Sequence, residues 1–148
     1  MVATAERRWD LLLCVGLAAG AALIHVSATV DHARYALLFS VFFACLVAAQ
    51  LAWAAALLIT PSGGVLRAGL LLNAGVVAVW AFTRTLGPPL GPEPWHPEAV
   101  GVLDALATID ELAIVALLCG LLRPALRLSA PLLVALSLMA FEMGTHAG

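Results

Sequence analysis

Five long runs of apolar residues, at about 11–30, 35–59, 66–83, 100–122 and 131–145, make up most of the chain, with short polar or proline-bearing breaks between them. Most of the runs approach the ~20 residues that an α-helix needs to cross a ~30 Å hydrocarbon core at 1.5 Å per residue. The breaks carry turn chemistry: Asp31-His32-Ala33-Arg34, Thr60-Pro61-Ser62-Gly63-Gly64, the long Gly87–Pro97 segment, and Arg123-Pro124. The runs are continuous, whereas a membrane barrel needs repeated ten-residue segments of alternating polarity. The pattern predicts an all-α, polytopic membrane helix bundle of about five transmembrane helices, forming one domain over residues 1–148.

Composition explains what solvates this surface. Hydrophobic residues make up 64% of the chain and charged residues 11%, against about half and a quarter in soluble domains. Too little polar surface remains to face water, so the lipid bilayer is the expected solvent. The first run extends through Val30, longer than the 7–15 residues of a cleavable signal's apolar region, and is read as a retained helix. All seven basic residues are Arg, scattered singly or in pairs. No basic run could track a phosphate backbone, which speaks against nucleic acid as a partner. Arg7, Arg8, Arg67, Arg123 and Arg127 fall at one set of helix ends and only Arg34 and Arg84 at the other. Positive charge is retained on the cytoplasmic side, so the N-terminus is expected in the cytoplasm and the C-terminus outside. Cys14, Cys45 and Cys119 lie within apolar runs without a C-x-x-C pair and read as small buried hydrophobes.

Function has to come from the polar residues inside the runs. His25 lies near the outer end of the first, with His32 seven residues on, roughly 10 Å along the axis and too far for the two rings alone to share one metal ion. Asn73, Trp80 and Arg84 form one stripe on the third; Asp104, Thr108 and Glu111 form one on the fourth. On the fifth, Met139, Glu142, Met143 and His146 share a face. His25, Arg84, Asp104, Glu142 and His146 fall at similar expected depth, with Gln50 deeper. Each ionisable group at mid-membrane costs about 2.5–3.5 kcal/mol on insertion scales, so these groups are expected to face one another or a wet cavity opening outward. The simplest role for Arg84 is an internal ion pair with Asp104, Glu111 or Glu142. Gln50 and Asn73 suit bonds between helices. Gly16-Leu-Ala-Ala-Gly20 and the Ala-rich second run suit close helix approach, within the chain or between copies.

The segment Arg84-Thr85-Leu86-Gly87-Pro88-Pro89-Leu90-Gly91-Pro92-Glu93-Pro94-Trp95, with His25, His32, Phe42-Phe43, Gln50, Asp104 and Glu111, resembles a family of small bacterial polytopic membrane proteins. The pattern is a His-x6-His first-helix end and an RTxGxPxGPExW loop, and the likeness runs from His25 to Glu111. It implies a grouping and no activity. Five prolines among residues 84–98 predict a stiff, extended connector. Trp95 would sit at a headgroup interface. Glu93, His96 and Glu98 would add groups over the outer mouth.

Three functions fit. The first is a metal-handling protein with His25, His32, His96, Asp104, Glu142, Met143 and His146 as ligands. Imidazole, carboxylate and thioether donors together suit copper or another late transition metal. Haem held by two histidines is a further cofactor compatible with these residues, without a C-x-x-C-H attachment. The second is a non-catalytic accessory or scaffold subunit, as a homo-oligomer or part of a membrane complex, in which the polar stripes only assemble helices; no nucleophile motif or phosphate loop argues against it. The third is a proton or solute pathway through Arg84, Asp104, Glu111 and Glu142. That pathway needs polar groups along the whole span, and the cytoplasmic half offers only Gln50 and Asn73.

Overall fold

Each described apolar run forms one helix, ended where the sequence removes the next hydrogen bond. The computed structural model describes residues 2–34 and 36–123. In order these are α1 (Val2–His32), α2 (Leu37–Ile59), α3 (Gly63–Thr85) and α4 (Val102–Leu122). All four are long and apolar enough to cross a membrane, from Ala5 in the case of α1. The expected fifth helix, at 131–145, lies outside the described residues.

The ends follow backbone chemistry more than hydropathy. α1 starts well before its apolar run because Ala5, Glu6, Arg7 and Arg8 all favour helix. α2 stops at Ile59 because Thr60 precedes Pro61 and is driven out of the helical region, to φ −145° and ψ 82°. Ser62 then caps α3, its Oγ accepting from the Val65 N–H at 3.3 Å. α3 ends at Thr85, and Gly87 two residues on, with φ +81°, turns the chain away. α4 begins after Gly101, and Asp104 in its first turn accepts from the Gly101 N–H at 3.5 Å. It ends at Arg123, which precedes Pro124.

α1 packs against α2 and α4, and α4 against α3; α2 and α3 touch least. One end of the bundle is dry: Cys14, Ala18, Trp53, Leu57, Leu66, Ile114 and Leu118 form a buried apolar core there. Small residues allow the close approach, among them Ala18 of the Gly16–Gly20 segment and Ala54 of the Ala-rich second run, but not Gly16. Cys14, Ala18, Ala21 and Ala22 of α1 are buried, whereas Gly16 is exposed with nothing near it. The stripe that packs is set by the 3.6-residue period through Cys14 and Ala18, which turns Gly16 away. A second close approach joins α2 to α3, where Gly69 faces the Trp53 ring so tightly that a Cβ would lie 2.1 Å from it. The Trp53 indole N–H donates to the Val65 carbonyl at 2.8 Å, holding the ring in that notch.

The connector between α3 and α4 departs from the extended form expected of it. Trp95 N–H donates to the Pro88 carbonyl at 2.8 Å, and Glu98 N–H to the Thr83 carbonyl at 3.1 Å, so the segment doubles back on the end of α3. Positive φ at Gly87, Gly91 and Trp95 supplies the reversals that proline stiffness alone does not. Gly87 is buried with the His96 backbone 2.5 Å from where its Cβ would be, so no larger residue fits. Trp95 stays largely exposed, its ring edge-on to Phe82 at 6.4 Å.

Candidate functional site

Opposite the dry core, the C-terminal ends of α1 and α3, the N-terminal ends of α2 and α4, and the α3–α4 connector surround a cavity of about 580 Å³. That volume lies within the ~300–1,000 Å³ typical of small-molecule pockets. Its wall is mainly apolar, with Phe39, Phe42 and Phe43 from α2 facing Val76, Val79 and Trp80 from α3. Pro88, Pro89 and Leu90 of the connector complete the rim. Gly91 sits on the Phe39 ring, 2.6 Å from the position of a Cβ, which seats the connector against α2.

The floor is polar and buried. His25 of α1 and Glu111 of α4 both line the cavity and are 6% and 1% exposed. The His25 Nε2–H donates to Glu111 Oε1 at 3.0 Å, and the Gln50 amide of α2 donates to the same oxygen at 3.1 Å. Three helices thus converge on one carboxylate atom. The His25 ring also stacks on Phe43 at 5.6 Å, with His32 on the same Phe43 at 5.1 Å. His32 turns its Nδ1 to the Ala28 carbonyl at 2.7 Å. Just above, Thr29 Oγ1 bonds the His25 carbonyl, and Ser40 of α2 bonds the Thr29 carbonyl, both at 2.8 Å, tying α1 to α2.

The rim is an ion cluster. Arg84 at the end of α3 pairs through Nη1 with Glu98 of the connector and through Nη2 with Asp104 of α4. Its guanidinium lies 5.9 Å from the centroid of the Trp80 ring, one helical turn earlier. The Arg84 side chain is 13% exposed, against 37% and 36% for its two carboxylate partners, so the cation is the more buried member.

Of the three carboxylates considered for Arg84, Asp104 is beside it. Glu111 serves His25 and Gln50 instead, and Glu142 lies outside the described residues, as do Met143 and His146. His25 therefore belongs with Glu111, not with the Arg84 level to which its estimated depth assigned it. Gln50, expected deeper, reaches Glu111 because two long side chains bridge the difference in height. His96 does not join the site; it is exposed, with Nδ1 3.2 Å from the Pro94 carbonyl. Asn73 is fully buried and bonds back to the Gly69 carbonyl of its own helix at 2.8 Å. Among the described residues, no group of three or more His, Cys, Asp or Glu side chains is arranged to hold a metal ion.

Two parts of the site had no clear signal in the sequence. Glu98 as second partner of Arg84 depends on the folded connector. Ser40 as a buried inter-helix tie stands in an apolar run, where a single serine carries little information. No protein-family model, curated protein or solved structure matches the chain.

Proposed function

We propose that this chain is a multi-pass protein of the cell membrane that binds a small, largely apolar molecule in the cavity between its four described helices, from the extracytoplasmic side. The cavity itself carries the reading: it is of ligand size, walled by aromatic and aliphatic side chains, and floored by a few convergent polar groups. The orientation rests on Arg7, Arg8, Arg67 and Arg123, which lie at the dry end of the bundle. Arg34 and Arg84 lie at the cavity end, and Arg84 is occupied by two carboxylates.

A transition-metal role keeps His25, His32 and Asp104 in the cavity lining and would draw the rest from Glu142, Met143 and His146. An accessory-subunit role retains the exposed surface around Gly16. Neither has an observation comparable to a formed cavity.

The reading is tested with 1-aminoanthracene, a neutral apolar fluorophore, titrated into detergent-purified protein. Saturable binding near one molecule per chain is expected, with energy transfer from Trp80. Ala28→Phe, which adds a ring to the cavity wall, is expected to abolish it. Fluorescence that rises only in proportion to detergent, in wild type and variant alike, would overturn the reading.

A further inference from the structure

From the charges and rings around the cavity we infer that its ligand is a lipophilic cation, such as an aromatic quaternary ammonium or phosphonium compound. The inference rests on the cavity-binding reading above and adds the sign of the ligand's charge.

Among the described residues, four carboxylates line the cavity, Asp31, Glu98, Asp104 and Glu111, against one guanidinium, Arg84, and the imidazoles of His25 and His32. Arg84 is shared between Glu98 and Asp104, and so offsets only one of them. Asp31, at the exposed end of α1, adds negative charge at the mouth. Glu111 adds a carboxylate at the floor, where its partners His25 and Gln50 supply hydrogen bonds to a single oxygen. A low-dielectric wall around an acidic excess focuses the field and draws cations inward. Among the described lining residues, an anion would meet that field with no guanidinium besides Arg84, which two carboxylates already hold.

The wall favours the same sign. Aromatic faces attract cations through the ring quadrupole, most strongly where water is excluded. Phe39, Phe42, Phe43 and Trp80 surround the space, and Trp80 already carries one cation, the Arg84 guanidinium at 5.9 Å. A diffuse charge wrapped in apolar groups satisfies both features. It needs no hydrogen bonds from the wall, and it loses less hydration on entry than a compact ammonium or a metal ion.

Three probes of similar shape separate charge from apolar fit: tetraphenylphosphonium (cationic), tetraphenylsilane (neutral) and tetraphenylborate (anionic). Each is titrated calorimetrically into the full chain in detergent. Tetraphenylphosphonium is expected to bind at least tenfold more tightly than tetraphenylsilane, with tetraphenylborate weakest. Asp31→Asn, at an exposed position with no bearing on packing, is expected to narrow the preference. Glu111→Gln, which keeps an acceptor for His25 and Gln50, is expected to narrow it further. Saturable binding of the neutral or anionic probe with equal or greater affinity would overturn the cation preference and leave the cavity reading intact. Failure of all three to bind a folded protein would overturn both. A cation preference undiminished in the Asp31→Asn, Glu111→Gln double variant would overturn the acidic-excess mechanism.

Discussion

Replacing Glu111 by leucine removes the one atom on which α1, α2 and α4 converge. Oε1 accepts from His25 at 3.0 Å and from Gln50 at 3.1 Å, and all three side chains are at least nine-tenths buried. In water, stranding two buried donors would cost about 1–3 kcal/mol each. Within a bilayer, measured side-chain bonds between helices average about 0.6 kcal/mol and reach about 1.7, because separated helices also find partners. Two such bonds give a loss of roughly 1–3 kcal/mol for Glu111→Leu. Glu111→Gln keeps a carbonyl oxygen for both donors and is expected to lose less than about 1 kcal/mol. The assay is reversible unfolding in mixed micelles of rising dodecyl sulfate content, followed by tryptophan fluorescence. Helices remain in an apolar phase throughout, so the cost of moving a carboxylate out of water cancels and the inter-helix term is what is read. His25→Leu should then cost clearly less in the Glu111→Leu background than in wild type, because its partner has gone. Equal stability of Glu111→Leu and wild type, or strict additivity of the two changes, would refute the convergence on Oε1.

Two other predictions test the frame that holds this site. Gly69→Ala drives a methyl into the Trp53 ring and should destabilise by about 1–3 kcal/mol despite alanine's better helix propensity. Gly75→Ala, with nothing near its Cβ, should stay within about 0.5 kcal/mol of wild type or gain stability; similar losses at both positions would contradict the notch. Trp95→Cys, in a background without Cys14, Cys45 and Cys119, should react with a membrane-impermeant thiol reagent on intact cells. Reaction only after permeabilisation would invert the orientation.

Much of the described architecture is written in hydropathy alone, because a bilayer imposes one length on every crossing. The four described helices coincide with the first four apolar runs and differ mainly at their ends: α1 runs from Val2 to His32, and α3 starts at Gly63 behind the Ser62 cap. Pairings across helices were less legible. Depth counted at 1.5 Å per residue set His25 level with Arg84, yet Glu and Gln side chains span a helical turn, and so His25 and Gln50 meet on Glu111. Arg84 beside Asp104 was within reach of the same counting because both stand at helix ends on the rim. Glu98 was not, since its approach depends on backbone reversals at Gly87, Gly91 and Trp95. The cavity has no sequence signature: its aromatic wall looks like any lipid-facing run until helix rotation is known.

The His25–Glu111 bond also sets a timetable for making the protein. The two residues are 86 positions apart, which at ~5–20 residues synthesised per second corresponds to roughly 4–17 s. During that interval α1, α2 and α3 have emerged with His25 and Gln50 still lacking the carboxylate that joins them. A nascent chain stalled before α4 therefore presents two unsatisfied polar side chains to lipid. Such a chain has reason to linger beside the insertion machinery, or to be recognised by membrane proteases, until the fourth helix arrives.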